Sequence, residues 1–194
     1  MSTLTDICTD HYIIFFCEGR NEEDALKWLS EEEKLTLDVS SCNFDNLRKL
    51  RTRKQRSKHL QEILRNDYDK PPALIYILDS LKETITLPRE FRHIPIYYIY
   101  TYSEFEILFI IHINKWRTYN RQNPKPKASE FAQGFFDWDI KTEGSVKRVF
   151  EFEVTNLVEA AHVLKVQYNK IRDLRDKYGL YDLCRSEEHT SELQ

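Results

Sequence analysis

The stretch YIIFFCEG, residues 12–19, decides the fold class of this chain. Its first five residues are apolar and rich in β-branched and aromatic side chains, a run that is too short for a helix and typical of a buried strand. Asn21 then offers a helix cap, and the acids at 22–24 suit the positive end of a helix dipole. A strand followed directly by a helix is the repeating unit of an α/β fold.

Three further segments have the pattern of strands. Residues 35–39 alternate apolar and polar side chains, and residues 73–78 and 94–100 are nearly continuous apolar runs. Residues 45–67 contain few helix breakers and predict a long helix, which ends at the proline pair that follows. The pattern predicts an α/β fold with a Rossmann-like, mainly parallel central sheet of about four strands, flanked by helices.

The chain beyond the fourth strand is predicted to be helical. Ser103 and Glu106 have the spacing of a capping box, which opens an apolar helix that runs to about Trp116. Further helices are predicted at residues 128–136 and 155–178.

These patterns suggest one domain. Residues 1–120 are expected to form the α/β core, and residues 121–184 a C-terminal helical layer of the same domain. Residues 185–194, RSEEHTSELQ, resemble the in-frame translation of a sequencing-adapter oligonucleotide, so they are left out of the fold prediction.

Composition excludes several classes of protein. The chain has 194 residues, 41% of them hydrophobic, with 29 Lys+Arg against 32 Asp+Glu, which suits one globular core. No apolar run approaches the roughly 18 residues of a membrane-spanning helix. The N-terminus lacks the features of an export signal, so we expect a cytoplasmic protein with no membrane partner. The four glycines do not form a glycine-rich phosphate loop.

Two predicted strands end in an acidic residue. Glu18 follows the first strand and Asp79 the third. Functional groups of a parallel sheet collect beyond the carboxyl ends of its strands, so these carboxylates meet if the two strands are neighbours. Carboxylate oxygens suit Mg²⁺ or Mn²⁺, with waters and a phosphate completing the coordination. Gly19 would allow a sharp turn and the close approach of a ligand.

The residues around these acids resemble the Toprim domain of topoisomerases, primases and related nucleases. The strand that ends in Glu-Gly is matched by IIFFCEGRNEEDAL, and the later Asp-x-Asp motif by IYILDSLK, in which Leu81 replaces the second acid. More narrowly, CEGRNEEDALKWL and YSEFEILFIIHI resemble the RloB-like branch, which is associated with bacterial abortive-infection and restriction loci. The resemblance spans roughly residues 12–178.

The resemblance implies a Toprim-like fold and metal-dependent cleavage of phosphodiester bonds. Glu18 would serve as general acid/base or metal ligand, and Asp79 as a ligand of magnesium. Because Leu81 occupies the place of the second acid, Glu83 or Glu106 is a candidate for a third carboxylate.

Each acid also has a purely structural interpretation. Glu18 would stabilise the start of the following helix, and Asp79 would be a turn residue. Glu106 would complete the capping box with Ser103. Glu104 and the acids at 22–24 would be solvated helix-start residues.

The second candidate site is a dense group of cations. It comprises Arg48, Lys49, Arg51, Arg53, Lys54, Arg56 and Lys58, with no acid between Asp45 and Glu62. Such density suits the phosphate backbone of DNA or RNA. The alternative is a solvated helix that pairs with the acids at 31–33. Residues 116–121 also interleave aromatic and basic side chains, which suits either base stacking or ordinary packing.

Three functions are compatible with these patterns. The first is a nucleic-acid-binding, metal-dependent nuclease that acts in bacterial phage defence. The second is a catalytically degenerate binding or regulatory module that works with a partner protein encoded in the same defence locus. The third is an interaction protein whose basic helix contacts an acidic partner, which nucleic acid would not displace.

Overall fold

The computed structural model describes residues 4–37, 42–46, 53–79, 81, 84–101, 104–168, 170–171, 173–174 and 177–185; the side chains of residues 5, 6, 8, 46, 53 and 54 lie outside this description. Within it, five parallel strands form one sheet in the order β2-β1-β3-β4-β5. The strands are β1 Tyr12–Cys17, β2 Cys42–Asn46, β3 Pro72–Leu78, β4 Ile96–Tyr100 and β5 Tyr178–Gly179. The chain is therefore an α/β protein, consistent with a Rossmann-like or Toprim-like architecture.

Helices flank the sheet and supply most of the C-terminal part. In the described residues they are α1 Leu4–Asp10, α2 Arg20–Glu31, α3 Arg53–Leu64, α4 Ile107–His112, α5 Trp116–Asn120, α6 Ala128–Gln133, α7 Ser145–Val149 and α8 Val154–Tyr168. Short 3₁₀ turns occur at Arg89–Phe91 and Leu180–Leu183. Among these helices, none is both long enough and apolar enough to cross a membrane.

The order of the strands creates a crevice between β1 and β3. The chain leaves β1 through α2 towards the β2 edge, whereas it leaves β3 towards β4 on the other side. Neighbouring parallel strands whose connections diverge form a topological switch point, the usual place for a ligand in such sheets. A ligand is therefore expected at the carboxyl ends of β1 and β3.

The second strand and the long helix were predicted at the wrong positions. Residues 35–37 are not part of the sheet, and Leu35 makes only an isolated antiparallel bridge to Cys184. The edge strand is β2 instead, so Asp45 lies in a strand and the helix begins at Arg53. The cause is that β2 has the sequence CNFDN, which is too polar to have the pattern of a buried strand.

The apolar segment after β4 is also shorter than predicted. Instead of one helix to Trp116, the chain forms α4 and then α5, separated at Asn114, whose φ of 60° is left-handed. A left-handed residue of this kind ends a helix. All side chains from Ile107 to Ile111 are buried, and α4 packs against α6 and α8. Fully burying each large apolar side chain contributes about 1.5–3 kcal/mol.

The C-terminal layer includes a strand that was not predicted. Helix α8 ends at Tyr168 rather than at Tyr178, which belongs to β5 and extends the sheet beyond β4. The buried Tyr168 hydroxyl donates a hydrogen bond to the carbonyl of Tyr100 in β4. This contact ties α8 to the sheet.

Candidate functional site

Glu18 and Asp79 meet at the switch point, as expected from the ends of their strands. Cys17 is aligned with Ile77 in the β1–β3 pair, and the backbone N–H of Asp79 donates to Oε2 of Glu18 at 3.2 Å. Thr101, which follows β4, donates its hydroxyl to Oδ1 of Asp79 at 2.9 Å. Three neighbouring strand ends therefore position the two carboxylates.

A pocket of about 180 Å³ opens beside Asp79. It is lined by Gly19, Arg20, Asn21, Glu22, Asp79, Glu104, Glu106 and Lys141. Glu18 is not one of the lining residues, but it accepts a hydrogen bond from Asp79, which is. Four acids and two cations thus surround the pocket, and it is strongly polar.

Glu22 occupies the space left by the missing side chain of Gly19. A Cβ atom at Gly19 would lie 2.2 Å from Oε2 of Glu22. The backbone of Gly19 is extended, with φ −124° and ψ 170°, so any residue could adopt it. The chain does bend at Glu18 and Gly19, between β1 and α2, but this bend does not require a glycine; the glycine is required for the close approach of the Glu22 carboxyl group.

The environment of Glu22 favours its neutral form. The residue is 6% exposed, so it is not the solvated helix-start acid that the sequence suggested. Burial, together with the negative charge of Asp79, raises the pKa of Glu22 to about 8. Burial also raises the pKa of Glu106. At neutral pH the pocket therefore holds a proton on Glu22.

Asn21 presents a buried oxygen without a donor. Its Nδ2 donates to Oε1 of Glu106 at 3.1 Å and to the carbonyl of Ile140 at 3.2 Å, whereas its Oδ1 is buried and has no partner among the described residues. The amide orientation is determined by Ile140, because a carbonyl only accepts hydrogen bonds. An unsatisfied buried acceptor costs about 1–3 kcal/mol, so the site favours a ligand that supplies a donor or a cation.

The predicted cap at Asn21 is absent, whereas the predicted capping box of Ser103 and Glu106 lies partly outside the described residues. Asn21 lies inside α2, which Gly19 precedes as the N-cap without a side-chain hydrogen bond. Glu106 is itself the residue before α4 and makes no capping bond, because its side chain faces Asn21. Ser103 lies outside the described residues. Glu104, expected to be solvated, instead accepts the backbone N–H of Ser129 at 2.6 Å.

Lys141 comes to the pocket from a distant loop. The Gln133 side chain holds this loop, because its Nε2 donates to the carbonyl of Trp138 at 2.8 Å and its Oε1 accepts the N–H of Ile140 at 3.2 Å. The positive charge of Lys141 lowers the pKa of Glu106 and so partly offsets the rise that burial causes. No local pattern marks Lys141 in the sequence, since its position depends on tertiary packing.

The donor chemistry of the site suits magnesium that is bound together with phosphate. Mg²⁺ takes oxygen ligands and commonly uses one or two carboxylates, with waters and substrate phosphates completing the octahedron. The described residues include no group of three His, Cys, Asp or Glu that could enclose an ion. Glu83 is outside this part of the chain, and Leu81 is 40% exposed. The orphaned Oδ1 of Asn21 adds a further oxygen to the acids of the pocket.

The described part of the basic segment lies on α3. Residues 48, 49 and 51 lie outside the described residues, whereas Arg53 and Lys54 belong to α3. Arg56 is exposed, and Lys58, with a side chain 78% exposed, lies 3.6 Å from Glu62. An ion pair this exposed contributes little.

One contact places the middle of α3 near the carboxyl end of β2. Nε2 of His59 lies 2.6 Å from Oδ2 of Asp45, the next-to-last residue of that strand. Glu31, from the acidic run suggested as the partner of the cations, pairs with Lys147 at 2.8 Å.

Comparison of the chain with models of protein families, with curated proteins and with solved structures finds no match.

Proposed function

We propose that this chain is a Toprim-like, nucleic-acid-binding protein that cleaves phosphodiester bonds with bound Mg²⁺ or Mn²⁺. The observation that carries the proposal is the meeting of Glu18 and Asp79 at the switch point, beside a polar pocket that contains an unpaired oxygen of Asn21. The resemblance to RloB-like proteins adds the setting, which is bacterial phage defence in the cytoplasm.

The residues of the pocket have distinct roles in this proposal. Asp79, held by Thr101, is the first metal ligand, and Glu18 acts beside it as general base or second ligand. A metal ion held by these residues would supply Lewis-acid chemistry, polarising the scissile phosphate and lowering the pKa of a water molecule. Arg20 and Lys141 line the same pocket, where their charges would orient a phosphate group. The role of Glu106 is to hold Asn21 through its Nδ2, so that Oδ1 is available to the ligand.

The cations at 48–58 would hold the nucleic-acid backbone. They lie between the end of β2 and the first turns of α3, and β2 adjoins β1, whose carboxyl end leads to Glu18. Each phosphate contact releases counterions, so binding should weaken steeply as salt is raised.

A cleavage assay tests the proposal. Labelled DNA and RNA should be cut in the presence of Mg²⁺ or Mn²⁺ and remain intact in EDTA. Glu18→Gln and Asp79→Asn preserve the hydrogen bonds of the two side chains, so both variants should fold and both should be inactive. Glu159→Gln, an exposed acid on α8, is the matched control and should cut normally. Cleavage by Asp79→Asn at the wild-type rate would overturn the assignment.

A degenerate binding module is the second candidate. It is favoured by the exposed Leu81, where Toprim proteins carry an acid, and by the lack of a three-ligand group among the described residues. In that case the protein would bind nucleic acid equally well in EDTA and would cut nothing. Its role would then depend on a partner protein from the same defence locus.

A further inference from the structure

A second group of cations follows the pocket acids along the chain. Between Glu106 and Glu130 the sequence has no Asp or Glu but five basic residues: Lys115, Arg117, Arg121, Lys125 and Lys127. All but the half-buried Lys115 are exposed. Because the whole chain is close to neutral, this stretch is a local excess of positive charge.

Aromatic rings form a row between these cations. Successive ring centroids along Trp116, Tyr119, Phe131 and Phe135 lie 6.2, 5.2 and 5.3 Å apart. The middle of the row is packed, since Tyr119 is 2% exposed and its hydroxyl donates to the carbonyl of Pro126. The ends are accessible, because Trp116 is half-buried and Phe135 is 45% exposed.

A lysine ammonium group lies near a ring at each end of the row. Nζ of Lys125 lies 4.5 Å from the ring of Tyr119 and 5.8 Å from that of Trp116, and Nζ of Lys115 lies 5.6 Å from the ring of Phe135. Cations beside accessible rings provide both of the contacts that a single strand requires, which are phosphate neutralisation and base stacking.

This surface adjoins the pocket. The backbone N–H of Ser129, two residues after Lys127, donates to Oε2 of Glu104, which lines the pocket. The loop that carries Arg121 to Lys127 therefore leads directly to the pocket wall.

We propose that the surface formed by Lys115–Lys127 and Phe135 binds single-stranded nucleic acid and delivers it to the pocket. Single strands fit because their bases are open to stacking, whereas duplex DNA conceals its base faces and would contact only the cations. The delivery step rests on the proposed function, but the binding does not, because it requires neither metal nor cleavage.

Fluorescence anisotropy in EDTA tests the binding, using a labelled 20-nucleotide strand as DNA and as RNA, each also as a duplex. We expect the single strands to bind at least tenfold more tightly than the duplexes. Phe135→Ala should weaken single-strand binding by about five- to a hundredfold, the usual effect of losing one stacked base. Arg117→Glu/Arg121→Glu should weaken it at least tenfold.

The control is Arg89→Glu/Arg92→Glu, which removes exposed cations just before β4, at the opposite end of the sheet. Its affinity should fall much less than that of the test variants. An equal loss of affinity in the control, or an unchanged affinity of both test variants, would overturn the proposal. A parallel sedimentation assay with phosphatidylserine vesicles tests a membrane surface instead, and binding to the vesicles without binding to any oligonucleotide would also overturn it. Binding of single strands without any cleavage would contradict the proposed nuclease activity but would support the proposed binding surface.

Discussion

The backbone N–H of Asp79 donates a hydrogen bond to Oε2 of Glu18 at 3.2 Å, although 61 residues separate them. The contact arises because β1 and β3 are adjacent and parallel, so both chains emerge at the same edge of the sheet. It also orients the Glu18 carboxyl group towards the neighbouring acid. Two carboxylates that follow neighbouring strand ends would gain from a shared cation, which is the physical basis of the proposed metal site.

The pKa of Glu22 predicts a specific pH dependence of stability. Burial raises it from an ordinary 4.5 to about 8, so between these values the folded state holds a proton that the unfolded state has lost. The free energy of unfolding should therefore fall as pH rises through this window, by at most about 1.4 kcal/mol per unit from this group.

Glu22→Gln should remove this contribution, because glutamine carries no titratable proton. Urea unfolding from pH 5 to pH 8 should show that the stability of the variant, relative to that of the wild type, increases as pH rises. Glu159→Gln should follow the wild-type curve. Parallel curves for wild type and Glu22→Gln would mean that Glu22 is ionised in the folded protein.

Gly19→Ala should be destabilising only when Glu22 is present. The added Cβ would lie 2.2 Å from the Glu22 carboxylate, so the side chain must leave its buried position. Overpacking of this kind costs about 1–3 kcal/mol. In a Glu22→Ala background the same substitution should cost almost nothing, since the extended backbone accepts alanine. A double-mutant cycle measured by urea unfolding checks this, and additive effects would contradict it.

The basic half of α3 should determine part of the salt dependence of nucleic-acid binding. Arg56→Glu/Lys58→Glu should lower affinity for DNA and RNA and flatten the slope of log K against log salt by about two, one for each lost contact. The same titration of Arg89→Glu/Arg92→Glu should retain the wild-type slope. If both double variants behave alike, the effect is one of net charge and α3 has no specific role.

Two buried tyrosines should respond in opposite directions to the loss of a hydroxyl. Tyr168 donates to the carbonyl of Tyr100, whereas the hydroxyl of Tyr76 has no partner within the described part of the chain. Tyr168→Phe should therefore destabilise the fold by about 1 kcal/mol, and Tyr76→Phe should stabilise it by about 1–3 kcal/mol. Thermal unfolding measures both, and destabilisation by Tyr76→Phe would indicate a hidden partner.

Much of the sheet was predictable because its inner strands are apolar throughout. β1 and β3 are buried over almost their whole length and β4 is buried at its carboxyl end, so their sequences have the pattern of central strands. β2 is a polar edge strand, and β5 has only two residues, so neither has enough apolar side chains to be recognised. Both β2 and β5 are strands because they pair with a neighbouring strand, and their own sequences do not indicate it.

The candidate site was predictable only where a strand end fixes the residue. Glu18 and Asp79 follow apolar runs, and that position alone brings them together. Glu22 was not found because its burial depends on the space above Gly19, and Asn21 because its partners lie 85 and 119 residues away. Such contacts depend on the whole fold, so no local pattern indicates them.

The most direct test of the metal site is a calorimetric titration of Mn²⁺ into the protein, alone and with a phosphorothioate oligonucleotide that resists cleavage. We expect one ion to be bound by the wild type and by Glu159→Gln, and none at this site by Asp79→Asn. Absence of binding by the wild type under both conditions, or equal binding by Asp79→Asn, would contradict it.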